Sequence, residues 1–134
     1  MGLDMWLKGE AKNGNDLGYE LCYWRKANQI RNFFVNNIDD FNYEDNFGDY
    51  VVSKELLEKL LKTIDEVLDD HSKAAELLPT SEGFFFGSQD YDEWYFRELE
   101  DTKNNIQQIL NNFDFEKGKG GILWMVLKFI YFLL

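Results

Sequence analysis

Thirteen residues near the chain's end, Ile122 to Leu134, are apolar except for Lys128, in a chain whose net charge is -11. A run like that has to be covered, and this limits the folds available to everything before it. A helix crossing a bilayer needs about 20 apolar residues. The run is too short for that, so a membrane anchor is the outside reading. Ile122, Trp124, Val126, Phe129, Ile130, Tyr131 and Phe132 are β-branched or aromatic, which points to a buried strand covered on both faces. A second protomer is a further candidate for the cover, giving a homodimer through this segment.

The rest of the chain supplies a small sheet and helices. Leu3 to Lys8 and Leu17 to Trp24 read as two strands of a hairpin, joined by the turn-rich Gly9 to Asp16. Arg25 to Asn37 reads as a helix with Ile30, Phe33, Phe34 and Ile38 on one side. Tyr50 to Val52 reads as a short strand or lead-in. Ser53 is placed to cap a helix over Lys54 to Asp70, whose apolar stripe is Leu57, Leu60, Leu61, Ile64, Val67 and Leu68. Asp90 is expected to cap a second long helix, Tyr91 to Asn112, with Tyr95, Leu99, Thr102, Ile106, Ile109 and Leu110 inward. Gly118 to Gly121 turns the chain into the apolar tail. The expected fold class is therefore α+β: one domain, 1–134, with a small, mostly antiparallel sheet packed by about three helices.

With 45% hydrophobic and 17% aromatic residues, the chain is too apolar for an acidic disordered segment. Its single cysteine, Cys22, excludes an internal disulfide and fits a reducing compartment. Met1 to Trp6 carries an early acid and lacks the apolar core of a signal peptide. The expected location is the cytoplasm of a bacterial host cell.

Charge then narrows the partner. Between Asn32 and Ser53 lie Asp39, Asp40, Glu44, Asp45 and Asp49, with no base. Asp65, Glu66, Asp69 and Asp70 form a second group late in the first long helix. Both groups lie outside the apolar stripes, so both can face solvent. An acidic face repels nucleic-acid phosphate and attracts basic protein surfaces, although many soluble domains are acidic for solubility alone. These nine carboxylates are the candidate partner-binding residues.

Chemistry-bearing motifs are sparse. Gly83-Phe84-Phe85-Phe86-Gly87-Ser88 lacks the Gly-Lys-Ser/Thr ending of a phosphate loop. It reads as a tightly turned segment feeding the core, or as an exposed anchor beside Tyr91, Trp94 and Tyr95. Glu20 and Arg25 read first as a structural ion pair at a strand-to-helix junction and only second as catalytic. With one Cys and one His, no zinc spacing motif exists. The sequence requires no cofactor; the alternative is a single zinc ion held by His71 with Asp69, Asp70 or Glu66. Asp39 to Asp49 lacks the ligand order of a calcium loop. No nucleophile elbow surrounds any Ser or the Cys, and no catalytic residue is assigned.

One combination of motifs is more specific. Met1-Gly2-Leu3-Asp4-Met5, Tyr23-Trp24-Arg25-Lys26, Leu78-Pro79, Gly83 to Ser88 and Tyr91-Asp92-Glu93-Trp94-Tyr95 resemble a family of small proteins from phages, prophages and bacteria. The resemblance runs from Met1 to about Gly118. Some members bear a kinase-type label that these residues do not support, and no activity carries over residue by residue. Members often carry histidines in the helix after Tyr-Trp-Arg-Lys, where this chain has Ala27 and Arg31. The apolar tail after Gly121 also departs from the aromatic-polar ending of the family.

Small, acidic and phage-like is also the profile of anti-CRISPR proteins. The functional expectation is a non-enzymatic inhibitor of a bacterial defence nuclease. It would bind a basic surface of a nucleic-acid-handling protein, foremost a type II CRISPR effector, whose channels are positively charged. The alternatives are a small metal-dependent enzyme using Glu20 or Asp4 beside Arg25, and a self-assembling structural protein.

Overall fold

The computed structural model describes residues 2–11, 19–38, 48–81, 90–113, 115 and 121–130, with side chains for 4–9, 20–38, 50–81, 90–113 and 115. Four strands, β1 (Gly2–Ala11), β2 (Tyr19–Arg25), β3 (Gly48–Val51) and β4 (Gly121–Ile130), form one sheet in the order β2-β1-β4-β3. All three pairings are antiparallel. The helices are α1 (Asn28–Asn37), α2 (Lys54–Asp69), the short α3 (Ala74–Leu77) and α4 (Glu93–Asn112), with a 3-10 turn over His71–Lys73. This is the α+β arrangement the sequence calls for.

Residues 122–130 of the apolar tail lie in a central strand, β4. β4 pairs with β1 from Gly2↔Ile130 to Ala11↔Gly121, and with β3 from Gly48↔Leu127 to Val51↔Trp124. Ladder partners within the chain flank it on both sides, so β4 offers no free edge to a second protomer over the stretch that β3 covers. Strands buried inside a sheet favour the continuous β-branched and aromatic composition seen here. Glu10, Asp39, Asp40, Glu44 and Asp45, and the segment Gly83 to Ser88, have no described side chains.

One cluster forms the core. Met5 and Leu7 enter it from β1, Cys22 and Trp24 from β2, Leu57, Leu60, Ile64 and Val67 from α2, and Leu99, Ile106 and Ile109 from α4. A register irregularity between Leu7 and Lys8 leaves Leu21 as the extra residue on β2, opposite no partner. Such a bulge bends the strand locally. The other parity of the sheet carries Trp6 and Tyr23, whose rings lie 5.3 Å apart. There the Tyr23 hydroxyl donates to the buried Asp4 carboxylate.

Several boundaries differ from the sequence reading: β1 runs on to Ala11 through residues read as turn, and β3 is Gly48–Val51 rather than Tyr50 to Val52. Arg25 ends β2 rather than opening α1, because Lys26 adopts φ 57° and turns the chain before the helix begins. A positive φ is costly for a residue with a Cβ and marks a constrained junction. The cap of α4 is Asp92, not Asp90: the Asp92 carboxylate accepts from Tyr95 N–H at 3.1 Å. Ser53 caps α2 as expected, accepting from Leu56 N–H at 3.1 Å. α1 departs from a one-sided stripe, since Asn28, Gln29, Arg31 and Asn32 are buried along with its apolar residues.

Candidate functional site

Helices α2 and α4 run antiparallel, and two contacts fix their relation. Lys103 Nζ of α4 lies 2.7 Å from Asp65 Oδ1 of α2, and His71 stacks on Phe96 with ring centroids 3.7 Å apart. The C-terminal end of α2 is thereby held beside the first turns of α4. That end of the molecule collects the acids and aromatics that the sequence scatters.

The sequence-expected acids divide there. Asp65 is engaged by Lys103. Asp70 caps the 3-10 turn, accepting from Ser72 N–H at 3.1 Å and Ser72 hydroxyl at 2.6 Å, and these bonds hold its carboxyl below the usual range. Glu66 is half-buried, and Asp69 is exposed. Asp49 lies in β3, in register with Val126, with no described side chain. Asp39, Asp40, Glu44 and Asp45 lie outside the described residues. Asp65 and Asp70 thus have structural work within the chain, whereas Asp69 is exposed at the end of α2.

The aromatic part of the site is the start of α4. Trp94 is 72% exposed and Tyr91 40%. Tryptophan is enriched among the residues that anchor interfaces, which makes this exposed indole the first candidate contact. Arg97 lies over the Trp94 ring at 5.2 Å and 3.6 Å from Glu93, so the indole already receives one guanidinium from its own helix. Tyr95, by contrast, is structural: its ring is buried and its hydroxyl donates to Leu78 C=O at 2.7 Å.

The same region explains several motif residues. Asn32 Nδ2 donates to Pro79 C=O at 2.9 Å and to the Ser81 hydroxyl at 2.6 Å, and Ser81 N–H donates to Asn28 Oδ1 at 3.0 Å. Thr80 N–H donates to the Tyr91 hydroxyl at 3.1 Å. The segment 78–81 has no helix or strand of its own, so side chains from α1 and α4 satisfy its backbone groups. The buried amides of α1 are thus largely a clamp.

A cleft of about 380 Å³ opens between the β2–α1 junction and the start of α4, where Arg25, Lys26 and Gln29 face Asp92, Trp94 and Glu98. Glu98 also lines a second cleft behind it, with Asp101 and Asn105. Burial pushes the Glu98 carboxyl up to about 7, with the Asp101 charge adding to the effect. Cys22 sits nearby as a core thiol, receiving Asn105 Nδ2 at 3.6 Å, and burial raises its pKa to about 12. Glu98 is the functional candidate that sequence reasoning missed. On the helix it stands between the exposed Glu93 and Glu100, and only the packing of β2 against α4 singles it out.

The carboxylates named for an enzyme gather around Tyr23, whose hydroxyl feels the charges of Asp4, Arg25 and Glu20. Asp4 is in register with Arg25 but accepts from Tyr23 on the sheet. Glu20 is exposed at the bulge opposite Lys8. Among the described residues no three His, Cys, Asp or Glu side chains converge as metal ligands. His71, the key ligand of the zinc alternative, is stacked on Phe96. No helix among the described residues is long and apolar enough to cross a membrane. Compared with known proteins, the chain matches no family model, no curated protein and no solved structure.

Proposed function

We propose that this protein acts by binding, docking the acidic, aromatic end of the α2–α4 pair on a basic surface of a nucleic-acid-handling protein. The observation that carries this reading is Trp94, 72% exposed beside Tyr91, Asp92 and Glu93. Exposed tryptophan supplies the affinity typical of an interface anchor, and the surrounding acids supply the encounter rate and the choice of a basic partner. The net charge of -11 disfavours direct nucleic-acid binding. The partner favoured by charge and by the phage-family resemblance is a bacterial defence nuclease, foremost a type II CRISPR effector, whose inhibition would follow from occupying its DNA path.

The test is capture by a purified effector nuclease, coupled to a DNA-cleavage assay. Wild-type protein should bind and inhibit, more weakly at high salt, and Trp94→Ala should lose both activities in parallel. Binding that survives Trp94→Ala unchanged would remove the anchor and with it this reading.

One observation favours a second reading. Glu98, titrating near 7 in a cleft that also holds Arg25, has the properties of a proton-transfer group in a small enzyme. Under that reading Glu98→Gln abolishes a turnover that Trp94→Ala spares, and a hydrolase screen with both variants separates the two.

A further inference from the structure

The cleft beside Trp94 contains an unused polar group. Gln29 is 5% exposed and lines the cleft, yet its amide has no hydrogen-bond partner among the described residues. The Gln29 amide is not sealed from solvent and still reaches the cleft, where a guest can complete its hydrogen bonds. Glu98 lines the same cleft, and no hydrogen bond or ion pair engages its carboxyl among the described residues. Trp94 forms an exposed wall, and Arg97 shows that its indole accepts a guanidinium stack.

We propose that this cleft receives an arginine side chain of the protein partner, its guanidinium against Glu98, the Gln29 carbonyl and the face of Trp94. This rests on the docking reading and names its central contact. Arginine fits better than lysine: a planar fork of donors can meet a carboxylate and an amide carbonyl together while stacking on indole, whereas an ammonium is a compact point charge. Arginine also fits better than a nucleotide, because a phosphate would be brought to the acids surrounding the cleft. Arg25 and Lys26 stand at the β2–α1 wall and oppose a cationic guest, while Asp90 and Asp92 before α4 favour one. Asp101 on the same helix and the un-ionised Cys22 thiol of β2 are the other titratable neighbours of Glu98.

Binding is then linked to pH. Because the Glu98 carboxyl titrates near 7 in the free protein, a guest cation must displace its proton below that pH. Affinity should rise about tenfold between roughly pH 6 and 8 and level off above.

The experiment is a titration of the whole protein with N-acetyl-arginine methylamide, followed by the Trp94 indole and Gln29 side-chain amide signals in NMR. Saturable shifts at millimolar concentration are expected. The lysine analogue should bind at least about threefold more weakly, and the uncharged citrulline analogue should not compete. Glu98→Gln should weaken binding about tenfold at pH 8, and Arg25→Ala should tighten it by removing a repulsion. Trp94→Ala, at an exposed position, serves as a second variant that keeps the fold and should also lose affinity. Absence of a saturable shift, equal binding of the citrulline analogue, or unchanged affinity in Glu98→Gln and Trp94→Ala would each overturn the proposal. If the nuclease still captures the protein in that case, the docking reading stands and the arginine cleft alone falls.

Discussion

Trp24 Nε1 of β2 donates to Thr102 Oγ1 of α4 at 2.8 Å, joining residues 78 positions apart inside the core. Both side chains are buried, at 2% and 0% exposure. An indole can be buried cheaply only if its N–H finds an acceptor. The threonine in an otherwise apolar helix stripe is that acceptor, and it ties the sheet to the helix that carries the candidate site.

Thr102→Val keeps the shape and removes the acceptor. It should cost about 1–3 kcal/mol, because the indole N–H is left buried and unpaired. Thr102→Ser should recover most of the loss. Urea unfolding of the two variants checks this, and equal midpoints for wild type and Thr102→Val would show that the bond contributes nothing.

Ending the chain at Gly121 removes the central strand. The sheet then separates into a β1–β2 hairpin and a lone β3, and isolated hairpins are marginal in water. Cooperative thermal unfolding should disappear in circular dichroism. A truncated protein with the wild-type transition would mean that β4 is dispensable.

Glu98 gives the protein a pH signature. Its folded pKa, about 7, stands above the ordinary 4.5 because burial disfavours the charge. Its contribution to stability is therefore full below the unfolded value and is lost as pH rises through the folded one. Glu98→Gln should be insensitive in that window, so it should gain on wild type as pH increases from about 4.5 to 7. Melting temperatures of the pair across that range test the sign; parallel curves would remove Glu98 from the account.

Cys22 should be inert. Its thiol is 5% exposed, and burial holds its pKa up at about 12. A thiolate-specific reagent should label the native protein only at the rate of unfolding, since the thiolate is the reactive form. Immediate labelling at pH 8 would contradict the packing of β2 against α4.

Periodicity made the helix stripes legible: the α4 residues from Tyr95 to Ile109 that sequence spacing turns inward are buried, and Leu110 packs partly against them. Composition made β4 legible as a strand, though its central place required the register with both β1 and β3. The cap of α4 lies two residues beyond the sequence reading, because Asp90 and Asp92 both suit the role and only backbone geometry chooses between them. The acids of α2 read as one solvated face, but local chemistry divides them: an ion pair takes Asp65 and a turn takes Asp70. Glu98 and Gln29 were invisible for a different reason. Each is an ordinary helical residue until β2, α1 and α4 meet, and no local pattern encodes that meeting.

The central claim is binding through an acidic, tryptophan-anchored face, and association kinetics with a purified type II CRISPR effector nuclease test it most directly. Between about 50 and 300 mM salt the association rate should fall at least about tenfold, as expected of electrostatic steering. Asp69→Lys with Glu93→Lys should slow association further while leaving dissociation nearly unchanged, and Trp94→Ala should mainly speed dissociation. No binding, or binding whose rates ignore salt, the charge reversals and the loss of Trp94, would contradict the account.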